Sequence, residues 1–558
     1  MNALEIVQGY HAATKHHANR YARSPGYLDW ATQPDPFRRY AGAPRVLFPF
    51  RDTDESAPYE EIYEPGRVTA RPISIHTVAA FLECSLAISA WKQYGDSRWA
   101  LRCNPSSGNL HPTEGYLIAP ALAGLNDSPG VYHYAPREHA LELRCGFSEP
   151  AWNSLRAGFP GGTFFAGLSS IHWREAWKYG ERAYRYCQHD VGHALAALVV
   201  AAAALGWSVR HLNGLSDTDV TALLGLDRVA DFDKAERECP DLIAAIIPSS
   251  ASAQIPGTLT EPAIRGIAQG GWRGQANALS SDHVQWEIID RVAAACAKPR
   301  TAATAGPPAP VAAAATIPRR EPCGATVKRI VQQRRSAVDM DGATSISRET
   351  FYGMLLRTMP FPGSVPWSAV GWPAAIHLGL FVHRVTGIAP GIYCLVRNRA
   401  HESELRSAMN PRFLWETPDA CPEALPLFRL LTADCRDAAV QVSCGQDIAG
   451  DGAFGLGMLA RFENSLLENG PWFYRNLFWE AGMIGQVLYL EAEAAGVRGT
   501  GIGCFFDDSV HQIFGLRDGR YQSLYHFTVG GPVDDPRLTT LPAYGADRKQ
   551  LEGPAKPD

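Results

Sequence analysis

The chain holds twelve cysteines but no Cys-x-x-Cys pair, which removes the usual signs of a zinc site or a thioredoxin-type motif. Reduced, mostly buried thiols are the expectation, and no metal site is expected. A Gly-x-Gly-x-x-Gly fingerprint is also missing. The glycines of RGTGIGCFFDD, residues 498–508, have the wrong spacing for one, and no helix is expected directly after them. No apolar run follows a basic stretch in MNALEIVQGYHAATKHH, and the Ala-rich segment 194–205 is too short to cross a bilayer. A cytoplasmic protein without membrane contact is therefore expected. Net charge is only −5 and the basic residues are scattered, which argues against nucleic acid as a partner and for a small or peptide-derived substrate.

What is present is ordinary globular material: 46% hydrophobic and 20% charged residues. At 558 residues the chain exceeds the roughly 250–300 residues at which single cores stop growing, so two domains are expected. The composition breaks at AKPRTAATAGPPAPVAAAATIPRREP, residues 297–322. This Pro/Ala-rich stretch reads as a linker between domains 1–296 and 323–545, with a tail at 546–558.

The flanks repeat one another. SPGVYHYAPREHALELR (128–144) reads as a turn and two strands, and APGIYCLVRNRAHESELR (389–406) reads as the same plan. Residues 183–227 and 473–519 then match nearly element for element: an apolar helix with a glycine at Gly192 or Gly482, a strand, a turn and a short helix. The apolar positions of 471–495 cover more than one face, as expected of a helix buried nearly all round.

Three segments carry candidate chemistry. RCNPSSGNLHPTEGYLIA (102–119) crowds Pro105, Ser106, Ser107 and Asn109 into one loop ahead of the helix-like LHPTEGYLI, offering donors and acceptors to the edge of a planar ligand. In VQQRRSAVDMD (331–341), Arg334, Arg335 and Ser336 suit a phosphate, ahead of a capped amphipathic helix in ISRETFYGMLLRT. In 498–508, Gly501, Ile502 and Gly503 leave backbone N–H groups unshielded.

Together these segments resemble the nitroreductase superfamily. YHAATK (10–15), PSSGNLHPTEGYLI (105–118), PGVYHY (129–134) and KYGERAYRY (178–186) are similar to its SagB/ThcOx-type azoline dehydrogenases in tandem-domain form. The resemblance implies an α+β fold: two nitroreductase-like domains, each an antiparallel-rich mixed sheet flanked by helices, forming an intrachain pseudo-dimer. It implies FMN, held by Arg334, Arg335, Ser336, Pro105, Ser106, Ser107, Asn109, Gly501, Ile502, Gly503 and Arg537, with Lys178 and Tyr179 as catalytic acid/base groups whose pKa must move towards neutrality. One complete composite site is expected. The opposite site, combining His11, Thr14 and Lys15 with the altered 359–373 loop, is expected to be empty or repurposed.

The function implied is an FMN-dependent dehydrogenase or oxidase of a peptide-derived or azoline-like substrate, with oxygen as one acceptor. Two alternatives stay open: an NAD(P)H-dependent nitro or quinone reductase, and a flavin-free binding scaffold. Further oligomerisation is left open.

Overall fold

The computed structural model describes residues 1–50, 53–248, 255–303 and 323–545. The part of the expected linker at 304–322 and the tail at 546–558 lie outside the described residues.

Two sheets carry the fold, each built around near-continuous apolar strands that are buried on both faces. In the first, the strands lie in the spatial order Gly271–Trp272, Ala140–Gly146, Gly130–Ala135, Thr113–Ala119, Phe164–Ser170, Cys239–Ile247, Ser208–His211, with Arg45–Leu47 also paired to Ala140–Gly146. In the second the order is Leu427–Thr432, Gly391–Leu395, Ile376–Val382, Phe454–Arg461, Tyr521–Gly530, Arg498–Ile502. Matched strand by strand from Ala140–Gly146 onwards, the two orders are the same. Every pairing within these sheets is antiparallel. Parallel pairing between strands appears only between the two-residue strands Ile346–Ser347 and Val385–Thr386 among the described residues.

The halves meet along two long helices, α1 (Ala183–Ala203) and α2 (Phe473–Ala494), both buried along almost their whole length. Glycines set how closely they cross. A Cβ on Gly192 would collide with the Trp479 carbonyl, and one on Gly482 with the His189 carbonyl. Across the crossing, Trp479 Nε1 donates to Gln188 Oε1 at 2.8 Å.

Three sequence expectations change. LHPTEGYLI forms the strand Thr113–Ala119, not a helix, because its backbone is paired on both sides inside the sheet. In 389–406 only Gly391–Leu395 is a strand. Asn398 then caps a turn, and Glu402–Ala408 is helical with a Glu402–Arg406 ion pair one helical turn apart, so the partner strand comes from Leu427–Thr432. A helix, Asp507–Phe514, does follow the 498–504 glycines.

The chain also crosses between halves at both ends of its C-terminal part. Thr539–Leu541 adds to a small sheet with Ile88–Tyr94 and Ser97–Arg102. The helix Val327–Gln333, capped by Thr326, is tied to the N-terminal half through Val327 N–H to Ala57 C=O at 2.9 Å. These crossings bring residues from both halves to one cleft.

Candidate active site

A cavity of about 1060 Å³ opens where the loop 105–109, helices α1 and α2, the segment 332–336 and the strand Arg498–Ile502 converge. Its size matches the upper end of the ~300–1,000 Å³ expected of ligand pockets. The loop is shaped by left-handed backbone at Gly108 and Asn109. Gly108 has no substitute here, since a Cβ would stand 2.5 Å from the Tyr179 hydroxyl. Ser106 Oγ accepts from the His111 N–H at 2.8 Å, and Asn109 bonds His111 Nε2 at 2.9 Å while donating to the Ala100 carbonyl at 2.9 Å. Ser107 donates to Asp190 through both its N–H and its hydroxyl, at 3.2 and 3.4 Å. The loop's polar atoms are thus spent largely on holding its shape.

Across the cavity, Tyr489 of α2 organises the other wall. Its hydroxyl accepts from the Gly501 N–H at 2.9 Å and shares a hydrogen bond with Ser336 Oγ at 2.9 Å. The Gly501 N–H is therefore already occupied. Arg334 lies over the Tyr489 ring, 5.0 Å from its centroid, and donates to the Arg102 carbonyl at 3.1 Å. Arg335 donates to the carbonyls of Gln332 and Arg334 at 2.7 and 2.6 Å and to Ser89 Oγ at 3.4 Å. Among the described residues neither arginine forms an ion pair, and the buried Arg334 Nε has no partner.

The electrostatics follow from burial. Burial lowers Arg334, and it pushes Arg335 down to about 10, helped by Arg334 alongside, so both remain charged near neutrality. Burial also lowers Lys92 of the first half, again with Arg335 nearby. Four cations, Lys92, Arg334, Arg335 and Arg498, thus share one end of the cavity with the carboxylates Glu493 and Asp534, of which Asp534 is paired with Arg498 at 2.6 Å. At the other end burial pushes the Asp190 carboxyl up to about 7, only partly offset by hydrogen bonds from Ser106 and Ser107. Tyr179 is raised well above its ordinary value by burial and then by Glu175. His193, which meets Tyr525 Oη at 3.2 Å, is pushed down to about 3 by burial and stays neutral.

The family model "Nitroreductase family" matches residues 69–233 and 401–531, together more than half of the chain. The chain belongs to the nitroreductase family. A crystal structure from Anabaena variabilis assigned to the nitroreductases superposes with a TM-score of 0.64 over 95% of this chain and 99% of its own, at 20% identity. Among curated proteins, the trifolitoxin-processing protein TfxB of Rhizobium leguminosarum bv. trifolii is 33% identical over 136 residues, 22% of this chain. That match spans 35% of the relative's length.

In this nitroreductase-family oxidoreductase, Pro105, Ser106, Ser107, Asn109, Arg334, Arg335, Ser336, Gly501, Ile502, Gly503 and Tyr179 all line the one cavity. Two expected members do not join them. Arg537 is pulled away by Asp535, which its guanidinium meets at 2.7 and 2.9 Å, and its side chain is 71% exposed. Lys178 is not among the lining residues; its ammonium lies 5.3 Å from the centroid of the Tyr179 ring. The expected shift of Tyr179 towards neutrality is also reversed, because burial disfavours the phenolate. Sequence reasoning missed Lys92, Asp190 and Tyr489, and read His193 as a packed or hydrogen-bonded structural histidine. The only available signal was their place one or two turns along helices already recognised, or on a strand with no motif.

The opposite site is assembled differently from expectation. His11 and Thr14 are buried, His11 against Tyr474 and Gln522, and Lys15 pairs with Asp508 at 2.7 Å. None of them lines the smaller cavity of about 340 Å³ beside Ser208–His211, where the 359–373 loop contributes Gly371, Trp372 and Pro373. Trp372, Trp479 and His211 crowd this space, with ring centroids 5.7 to 6.4 Å apart. Its lining cation is engaged, Lys298 donating to the Leu215 carbonyl at 3.0 Å, and Asp217 of the lining pairs with Arg475 behind it at 2.7 Å.

Proposed function

We propose that the larger cavity binds FMN and that the chain acts as a dehydrogenase or oxidase on a peptide-derived, azoline-like substrate. The observation that carries the cofactor assignment is the Arg334–Arg335 pair, two guanidiniums bonded only to uncharged oxygens. A phosphate would complete their charge balance through forked, charge-assisted hydrogen bonds. Ser336 and Lys92 are the further groups suited to the same phosphate. The loop Pro105–Asn109 and the backbone of Ile502 and Gly503 are those that would hold the ring, with Gly501, its N–H spent on Tyr489, lining the wall beside them. When bound, FMN supplies two-electron hydride chemistry that no side chain offers.

The protein's own groups divide the remaining work. Asp190, balanced near pH 7, is the group on the cavity wall able to accept or release a proton under working conditions. Tyr179 keeps its proton and serves as a hydrogen-bond donor, with Lys178 behind it. Tyr186, Tyr489 and Tyr525 line the cavity with rings that limit water. The substrate class rests on the curated relative, which is named for processing trifolitoxin.

The test is flavin content of the purified full chain, followed by anaerobic mixing with a thiazoline-bearing peptide. One flavin per chain, bleached by the peptide, is expected. Bleaching by NADPH alone would instead support a reductase, and a colourless protein that takes up no added FMN would leave a binding scaffold.

A further inference from the structure

Cys504 lines the cavity just beyond Gly503, and its sulfur lies 2.6 Å from that of Cys444, a residue 60 positions earlier in the chain. Both are half-buried, unlike Cys103, Cys187 or Cys296, which are fully enclosed. The two segments are fastened together on either side of the sulfurs. Phe506 N–H donates to the Val442 carbonyl at 2.7 Å, and Gln446 Nε2 donates to the Cys504 carbonyl at 3.1 Å. Cys444 itself adopts a left-handed backbone, φ 56°, a conformation that costs a non-glycine residue energy and that local structure must enforce. A buried hydrophobic cysteine needs none of this.

We propose that Cys444 and Cys504 form a redox-active dithiol that exchanges with a small-molecule disulfide of the glutathione type entering through the cavity. The shared hydrogen bond to Cys444 holds the Cys504 thiol below its ordinary value, against burial and with help from Arg182, whose guanidinium donates to the Gly503 carbonyl at 3.3 Å. Cys444 is pushed the opposite way by the same hydrogen bond. Of the two, Cys504 lines the cavity from which the disulfide arrives and Cys444 does not, so Cys504 is the attacking sulfur and Cys444 the resolving one.

The Cys504 thiolate attacks one sulfur of the disulfide, breaking its S–S bond and releasing one thiolate, which takes up the proton Cys504 has lost. Cys444 then attacks the Cys504 sulfur of the mixed disulfide, passing its proton to the second leaving thiolate. Two protein thiols are oxidised to a disulfide, and one small disulfide is reduced to two thiols. The bond would lock the turn carrying Gln446, another lining residue, to the cavity wall.

The experiment exposes the full chain to oxidised glutathione and then to dithiothreitol, with acid quenching, alkylation and peptide mass spectrometry at each stage. A Cys444–Cys504 cross-linked peptide should form and then disappear. Cys444→Ser should retain glutathione on Cys504, and Cys504→Ser should modify Cys444 at least about tenfold more slowly, with thermal melts confirming that both variants fold. The proposal is overturned if both thiols stay alkylatable in oxidised glutathione. It is equally overturned if the two variants take up glutathione at the same rate, or if a cross-link resists dithiothreitol until the protein unfolds.

Discussion

The two cavities occupy equivalent places, each between an edge strand of one sheet and the loop that enters the central strand of the other, yet one encloses about 1060 Å³ and the other about 340 Å³. The difference lies in charge and in aromatic filling rather than in the frame. In the larger cavity Arg334 and Arg335 have no carboxylate partner among the described residues. In the smaller, the lining cation Lys298 is spent on the Leu215 carbonyl, Asp217 is paired with Arg475 behind the wall, and tryptophans take up the space. A duplicated frame can therefore keep one large, charged site and narrow the other to about a third of its volume without altering its strand order.

The sharpest way to break this comparison is to remove the unpaired charge. Changing Arg334 and Arg335 together to Ala should cost about 3–6 kcal/mol of phosphate binding, from two charge-assisted contacts at about 1.5–3 kcal/mol each. That corresponds to roughly two to four orders of magnitude in FMN affinity, read by fluorescence titration. Retained affinity would remove the basis for assigning the phosphate site. A charge removed beside the smaller cavity, Arg475→Ala, should leave flavin content untouched. It should instead destabilise the fold by about 3 kcal/mol in urea melts, because Asp217 loses its partner where the side chain is only 18% exposed.

Gly192→Ala tests the frame that both cavities share. Its Cβ would meet the Trp479 carbonyl, a backbone atom that cannot swing aside, so a loss of about 2–3 kcal/mol is expected. A variant as stable as the parent would show that the helices can part freely.

Asp190 and Asp241 sharpen the comparison by pH, since burial raises both carboxyls to about 7 and each lines one cavity. A raised folded-state pKa means that the folded protein holds the proton more tightly. The resulting stability is complete below about pH 4 and is lost as pH rises through about 7. Asp190→Asn and Asp241→Asn should both flatten this fall, whereas only Asp190→Asn should erase a limb near pH 7 in the activity profile. The smallest effect is expected from Trp372→Ala, about 1–2 kcal/mol at a partly exposed ring, with no second flavin bound. Two flavins per chain in that variant would mean that filling alone closes the smaller cavity.

Much of the frame was legible in the sequence because periodicity and repetition are local properties of the chain. The matched segments 183–227 and 473–519 gave the paired helices, and the glycines at Gly192 and Gly482 marked their crossing. Local reasoning failed where tertiary pairing overrode it. LHPTEGYLI became a central strand through neighbours distant in sequence. Arg537 is the opposite case, a local ion pair with Asp535, two residues away, that the resemblance did not weigh.

By itself the sequence determined that the chain has two related halves, that each carries a long buried helix, and which loops hold the small hydroxyls and the paired arginines. Only the tertiary structure decided that those loops face one another, that Asp190 and Lys92 join them, and that two cysteines far apart in the chain meet at the cavity wall. The physical reason is that propensity and periodicity act over a few residues. Burial, which sets the charge state of Asp190 and leaves Arg334 unpaired, depends on everything the fold brings around them.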